Sequence, residues 1–171
     1  MHRQATISAC GRYRYTLERC WPTLEDGKGV ALFVMLNPSK ADAQVDDPTI
    51  RKCVGFARRW GYNAIEVVNL FAWRATKPPD LQAAHEAGHD VIGPENDSAI
   101  RAASARARIV IVAWGAEAGR AYLGHNHARI DHVCRLLHPA ALHALRLTKD
   151  GHPAHPSRIP YGEPVAFEGR S

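Results

Sequence analysis

No run of apolar residues in this 171-residue chain approaches the roughly 18 that a membrane-spanning helix needs. The opening stretch, Met1 to Tyr15, mixes Arg, Gln, Ser and Tyr and has no apolar block, so a secretory leader is not expected. Cysteines are few and isolated. Cys10, Cys20, Cys53 and Cys134 form no Cys-x-x-Cys pair, which argues against a zinc knuckle and supplies no disulfide framework. These absences together suggest a cytoplasmic chain with reduced thiols. An acidic excess is missing too: 22 Lys and Arg outnumber 17 Asp and Glu, giving a formal charge of +5. That balance favours an anionic partner such as nucleic acid, nucleotide or phosphate.

The rest is an ordinary globular composition, 46% hydrophobic and 23% charged, enough to bury one core. One domain over residues 1–171 is expected, with an edge strand or hairpin in residues 1–30 and a Pro- and Gly-rich loop tail from 151 to 171. Four apolar runs read as strands: Ala31–Leu36, Ala64–Leu70, Ile109–Ala113 and Ala141–Leu147. The first and third are almost uninterrupted, as suits strands buried on both faces of a parallel sheet. Helical signals fall between them. Asp47 can cap a helix with Pro48 at its first position, and Ile50, Cys53, Val54 and Ala57 then share a face. A second helix is expected through Glu95–Ala107. In a third, Ile130, Val133, Cys134 and Leu137 repeat at helical spacing. The alternation predicts an α/β fold, a three-layer α/β/α sandwich around a mainly parallel four-stranded sheet, its strands ordered second, first, third, fourth.

Ligands of such sheets bind outside the carboxyl ends of the strands. Asn37, Pro38 and Ser39 follow the first strand; Asn69, Phe71, Trp73 and Arg74 mark the end of the second. Trp114 and Gly115 follow the third, and Lys149, Asp150, His152, His155 and Ser157 the fourth. Amides, aromatics, imidazoles and cations on one rim suit a planar heterocycle carrying phosphate. Duller readings attach to each alone: Asn-Pro is turn chemistry, and a Trp ending an apolar run is usually core. His152 and His155 have metal-like spacing, but Pro153 and Pro156 break any helix there and no carboxylate or cysteine partner is evident, so neither a metal nor any other cofactor is expected.

Four short segments, in order, resemble the motifs of the uracil-DNA glycosylase superfamily. Met35-Leu36-Asn37-Pro38-Ser39 is similar to its first active-site motif, Val67-Val68-Asn69-Leu70 to the strand whose Asn reads the flipped base. Ile109 to Gly115 is similar to its apolar strand ending in Trp-Gly, and His155-Pro156-Ser157-Arg158-Ile159 to its His-Pro-Ser-Pro-Leu segment. The chain also resembles an uncharacterised bacterial and phage family in which Met-Leu-Asn-Pro-Ser is followed by Asp-Asp-Pro-Thr, here Asp46-Asp47-Pro48-Thr49. Met35 and Ser39 stand where the glycosylase motif has glycines, and Arg158 replaces a Pro.

The resemblance implies a DNA glycosylase, a hydrolase of DNA repair that flips a damaged or modified base out of DNA and releases it. Asn37 would orient the attacking water, with Asp42, Asp46 or Asp47 supplying negative charge near the sugar. His155 or Lys149 would offset charge on the departing base. Asn69, Phe71 and Trp114 would hold the base, and Ile159 would wedge into the duplex. Lys40, Arg74, Lys149, Ser157 and Arg158 would contact DNA at the cleft mouth. Two other readings stand beside it: a non-catalytic reader of modified nucleic acid, and an enzyme acting on a free nucleotide or nucleoside.

Overall fold

The protein is described here through a computed structural model covering residues 1–24, 26–119 and 126–169, with the side chains of Asn126 and Arg158 outside the description. Helix α1 (Pro48–Arg59) starts as its sequence dictates: Asp47 Oδ1 accepts from Ile50 N at 2.9 Å, and Pro48 takes the first position. Ile50, Cys53, Val54, Phe56 and Ala57 form its buried face. Helices α2 (Pro78–Glu86), α3 (Asn96–Arg106) and α4 (Asn126–Leu137) follow. The second was not expected, because Pro78-Pro79 reads as a break. Yet Pro is tolerated in a first helical turn, and Asp80 Oδ2 accepts from Lys77 N at 3.2 Å to close it.

Among the described residues, seven strands form one sheet: β1 (His2–Ile7), β2 (Arg14–Cys20), β3 (Val30–Met35), β4 (Ala64–Asn69), β5 (Ala107–Val112), β6 (Leu142–Ala144) and β7 (Val165–Ala166), in the order β1-β2-β4-β3-β5-β6-β7. The inner four, β4-β3-β5-β6, are parallel, in the order the apolar runs predict. The expected mainly parallel four-stranded sheet is corrected to seven strands, only partly parallel. β1 and β2 add an antiparallel hairpin beyond β4, and β7 pairs antiparallel with β6. β1 has no apolar period of its own in the sequence, because it is a largely solvated edge. β2 lies inside the sheet despite two arginines, because both guanidinium groups find buried acceptors in the loop after β3.

Alternation along the strands divides the core. Leu32 and Val34 join residues of α2, α3 and α4 on one face, while Ala31, Phe33 and Met35 join α1 on the other. Leu32 and Phe33 are fully buried, each worth roughly 1.5–3 kcal/mol of transfer free energy. The result is a mixed α/β fold with helices on both faces. No helix among the described residues is long and apolar enough to cross a membrane.

Candidate functional site

Beyond the carboxyl ends of β3 and β5 lies a cleft of about 600 Å³ whose walls include Asn37, Ser39, Asp47, Trp114, His155 and Ile159. Its first wall is the loop after β3, tied to the segment after β4 by Leu70 N to Met35 O (2.8 Å), Phe71 N to Leu36 O (3.0 Å) and Ala75 N to Pro38 O (2.9 Å). Asn37 sits on this braced loop. Its Nδ2 donates to Ala75 O at 2.8 Å and to Pro38 O at 3.1 Å. Two carbonyl partners fix which end of the amide is nitrogen, so Oδ1 remains the acceptor for a ligand.

The opposite wall comes from the segment after β6. His155 Nδ1 lies 2.8 Å from Ser157 Oγ and accepts, at 3.4 Å, from Ser157 N. A neutral imidazole whose Nδ1 accepts carries its proton on Nε2, which makes Nε2 a donor. Gly115 allows this wall to approach β5. It has φ +78°, its N–H donates to Pro153 O at 3.0 Å, and an added Cβ would stand 3.3 Å from His155 Cβ.

The three aspartates part company. Asp47 lines the cleft while capping α1. Asp46 is instead held by Arg19 Nε at 2.7 Å and Arg3 Nη2 at 3.2 Å. Asp42 closes a turn, accepting from Gln44 N at 2.8 Å and Val45 N at 2.9 Å, and these two bonds hold its carboxyl below the usual value. Neither Asp42 nor Asp46 is part of the cleft wall.

Other expected residues divide similarly. Ser157 and Ile159 line the cleft; Ile159 is half-buried against the α1 side of the core. Trp114 also lines it, but at 2% exposure and packed edge-on to Phe167 it is floor rather than stacking platform. Asn69 does not line the cleft. It is fully buried, with neither amide atom paired among the described residues. Phe71 walls a different cavity of about 540 Å³, together with His89, Ile92 and Arg129. Lys40 and Lys149 are exposed and outside the wall, and Arg74 is half-buried, its Nη1 on Gly11 O at 3.3 Å. The side chain of Arg158 lies outside the described residues.

Four polar wall residues are not among those the sequence singles out: Arg14, Thr76, Glu117 and Thr148. Glu117 and Thr148 had a signal, since each closely follows a predicted strand. Arg14 had none, because it begins β2, whose antiparallel course puts its start, not its end, at the carboxyl end of β4. No group of three or more His, Cys, Asp or Glu poised to hold a metal occurs among the described residues. The arrangement can bind a polar planar ligand, place a water against Asn37 and offer a proton from His155.

The chain belongs to the DUF1643 family, described as a protein of unknown function, whose model matches residues 14–157. The matched span opens at Arg14 and closes at Ser157, so it takes in the wall residues of the cleft except Ile159. No curated protein and no solved structure matches the chain.

Proposed function

We propose that the cleft receives a damaged or modified base flipped out of DNA and hydrolyses its N-glycosidic bond, on a uracil-DNA glycosylase-like fold. The observation that carries this reading is that Asn37 and His155 line one cleft. One offers a fixed acceptor, Oδ1; the other a donor at Nε2. A volume of about 600 Å³ admits a nucleoside, since ligand pockets commonly run to roughly 300–1,000 Å³. In the reaction, Asn37 Oδ1 accepts a hydrogen bond from water and aims its oxygen at C1′. The C1′–N bond breaks, its electron pair leaves with the base, and His155 Nε2–H bonds the resulting anion. Asp47, the one of the three aspartates on the cleft wall, lends negative charge to the cationic sugar, and Asp47 or Glu117 takes the proton from water. Asn37 cannot itself be a strong base, so turnover depends on that carboxylate and is slow without it. Free thiols at Cys10, Cys20, Cys53 and Cys134 suit a cytoplasmic site of action.

The test is base release from a panel of duplex and single-stranded DNAs carrying different modified bases, with alkali to cleave the abasic product. Release from at least one DNA is expected. Salt-sensitive DNA binding without release from any would replace this reading with that of a non-catalytic reader. No DNA binding even at low salt would move the substrate to a free nucleotide.

A further inference from the structure

Arg14 is a buried cation whose donors are mostly unused. It opens β2, is 2% exposed, and lines the cleft. Nη1 donates to Ala41 O at 2.7 Å. Nε is sealed from solvent without a partner among the described residues, and Nη2 donates to none of them. Arg19, on the same strand, shows what a satisfied neighbour looks like. Its Nε holds Asp46 at 2.7 Å, while Nη1 and Nη2 reach Glu18 O and Asp42 O. Arg14 has no carboxylate at ion-pair distance among the described residues. Burial pushes its pKa down to about 10, which the charges of Asp47 and Asp42 offset only in part. An unpaired buried guanidinium is costly, so something must complete it when the site is in use.

A second observation converges on the same place. The first turn of α1 opens onto this cleft through Pro48, Thr49 and Ile50. Pro48 has no N–H, and the Ile50 N–H is taken by Asp47. Thr49 N–H makes no hydrogen bond among the described residues. Thr49 and Ser39, each with a hydroxyl, line the same cleft. A guanidinium fork, a helix N-terminus and two hydroxyls together match an anion with several acceptor oxygens.

We infer that Arg14 and the first turn of α1 form an anion subsite that holds a phosphate group of the nucleotide whose base enters the cleft. This rests on the nucleotide reading of the cleft, not on its hydrolytic step. It assigns to Arg14 a binding role, with Thr49 and Ser39 as the other contacts. Asp47 is the opposing charge in the subsite, and its Oδ1 is engaged by Ile50 N.

The test is a titration of the ¹⁵N-labelled protein with inorganic phosphate at constant ionic strength, read at the Arg14 Nε–H resonance. A saturable shift is expected there and at the Thr49 amide, absent when chloride replaces phosphate. Phosphate should bind Arg14→Met at least tenfold more weakly. Because Met in place of a buried Arg can alter folding, the wild-type resonance is the deciding readout. Phosphate shifts confined to amides beside exposed Lys40 and Lys149, with Arg14 unmoved, would overturn the assignment. Competition by hexathymidylate identifies a DNA backbone phosphate, and competition by thymidine 5′-monophosphate alone a free nucleotide; either supports the subsite. Base release from DNA with Arg14 silent to phosphate discards the subsite alone. Phosphate held at Arg14 with no base release discards only the hydrolase.

Discussion

Arg19 Nε meets Asp46 Oδ1 at 2.7 Å, joining β2, next to the edge of the sheet, to the loop that carries Asn37. The Arg19 side chain is fully buried and that of Asp46 is 11% exposed, so water does little to screen the pair. Arg19 also donates to Asp42 O, and Arg3 braces Asp46 from the edge strand at 3.2 Å. The loop between β3 and α1 has little regular structure of its own. Its shape depends on cations supplied by β1 and β2.

Removing one partner of a buried pair leaves the other charge uncompensated. Asp46→Ala should therefore destabilise the fold by roughly 3 kcal/mol, read from urea unfolding. A loss under about 1 kcal/mol would mark it as no stronger than a surface pair. Since Asp46 is outside the cleft wall, chemistry per folded molecule should change little.

Acid stability should carry the mark of Asp97. Burial raises its carboxyl, but hydrogen bonds from His132 Nε2 and Arg129 Nη1, both 2.7 Å, and the charges behind them outweigh burial and hold it low. A carboxyl held low when folded binds fewer protons than in the unfolded chain. Its contribution is thus present above its ordinary value of 3.8 and lost as pH falls through the folded one. Asp97→Asn should lower the urea midpoint at pH 7 and flatten its fall in acid. An unchanged acid limb would remove Asp97 from the account.

Gly115→Ala tests the approach of the two cleft walls. At φ +78° an L-residue is strained, and the new Cβ meets His155 Cβ at 3.3 Å. A loss of roughly 1–2 kcal/mol in unfolding free energy is expected. A displaced His155 ring resonance should accompany it. Stability lost with that resonance unmoved would mean that Gly115 serves the turn and not the histidine.

What was legible in the sequence was local. The Asp47-Pro48 start of α1 needs only a cap, a proline and a helical period, all within ten residues. Asn37 and His155 were legible because each follows a strand in a parallel sheet, where the chain leaves the core. Asn69 shows the limit of that rule. Leu70 and Phe71 still bond to Met35 O and Leu36 O, so β4 stays paired beyond Asn69, and the side chain remains inside. Arg14 was illegible for the opposite reason. Its burial and its place on the cleft come from a loop folding across it from 27 residues away, which no period in β2 records.

Variants at Asn37 and Ile159 separate chemistry from holding. Asn37→Ala removes the acceptor for water and two bonds to Pro38 O and Ala75 O. The two bonds brace the loop at about 1 kcal/mol each, so some stability is lost as well. Base release should fall at least roughly a hundredfold, as for loss of a positioned polar catalytic group, while DNA affinity stays within about threefold. Ile159→Ala touches neither acceptor nor donor. It removes apolar surface at the cleft mouth, so it should weaken productive binding and raise KM while kcat holds at saturation. Steady-state base release and a DNA-binding isotherm on the same preparations measure both. If Asn37→Ala keeps full activity, the water is positioned elsewhere, and Glu117, which lines the same cleft, becomes the residue to change next.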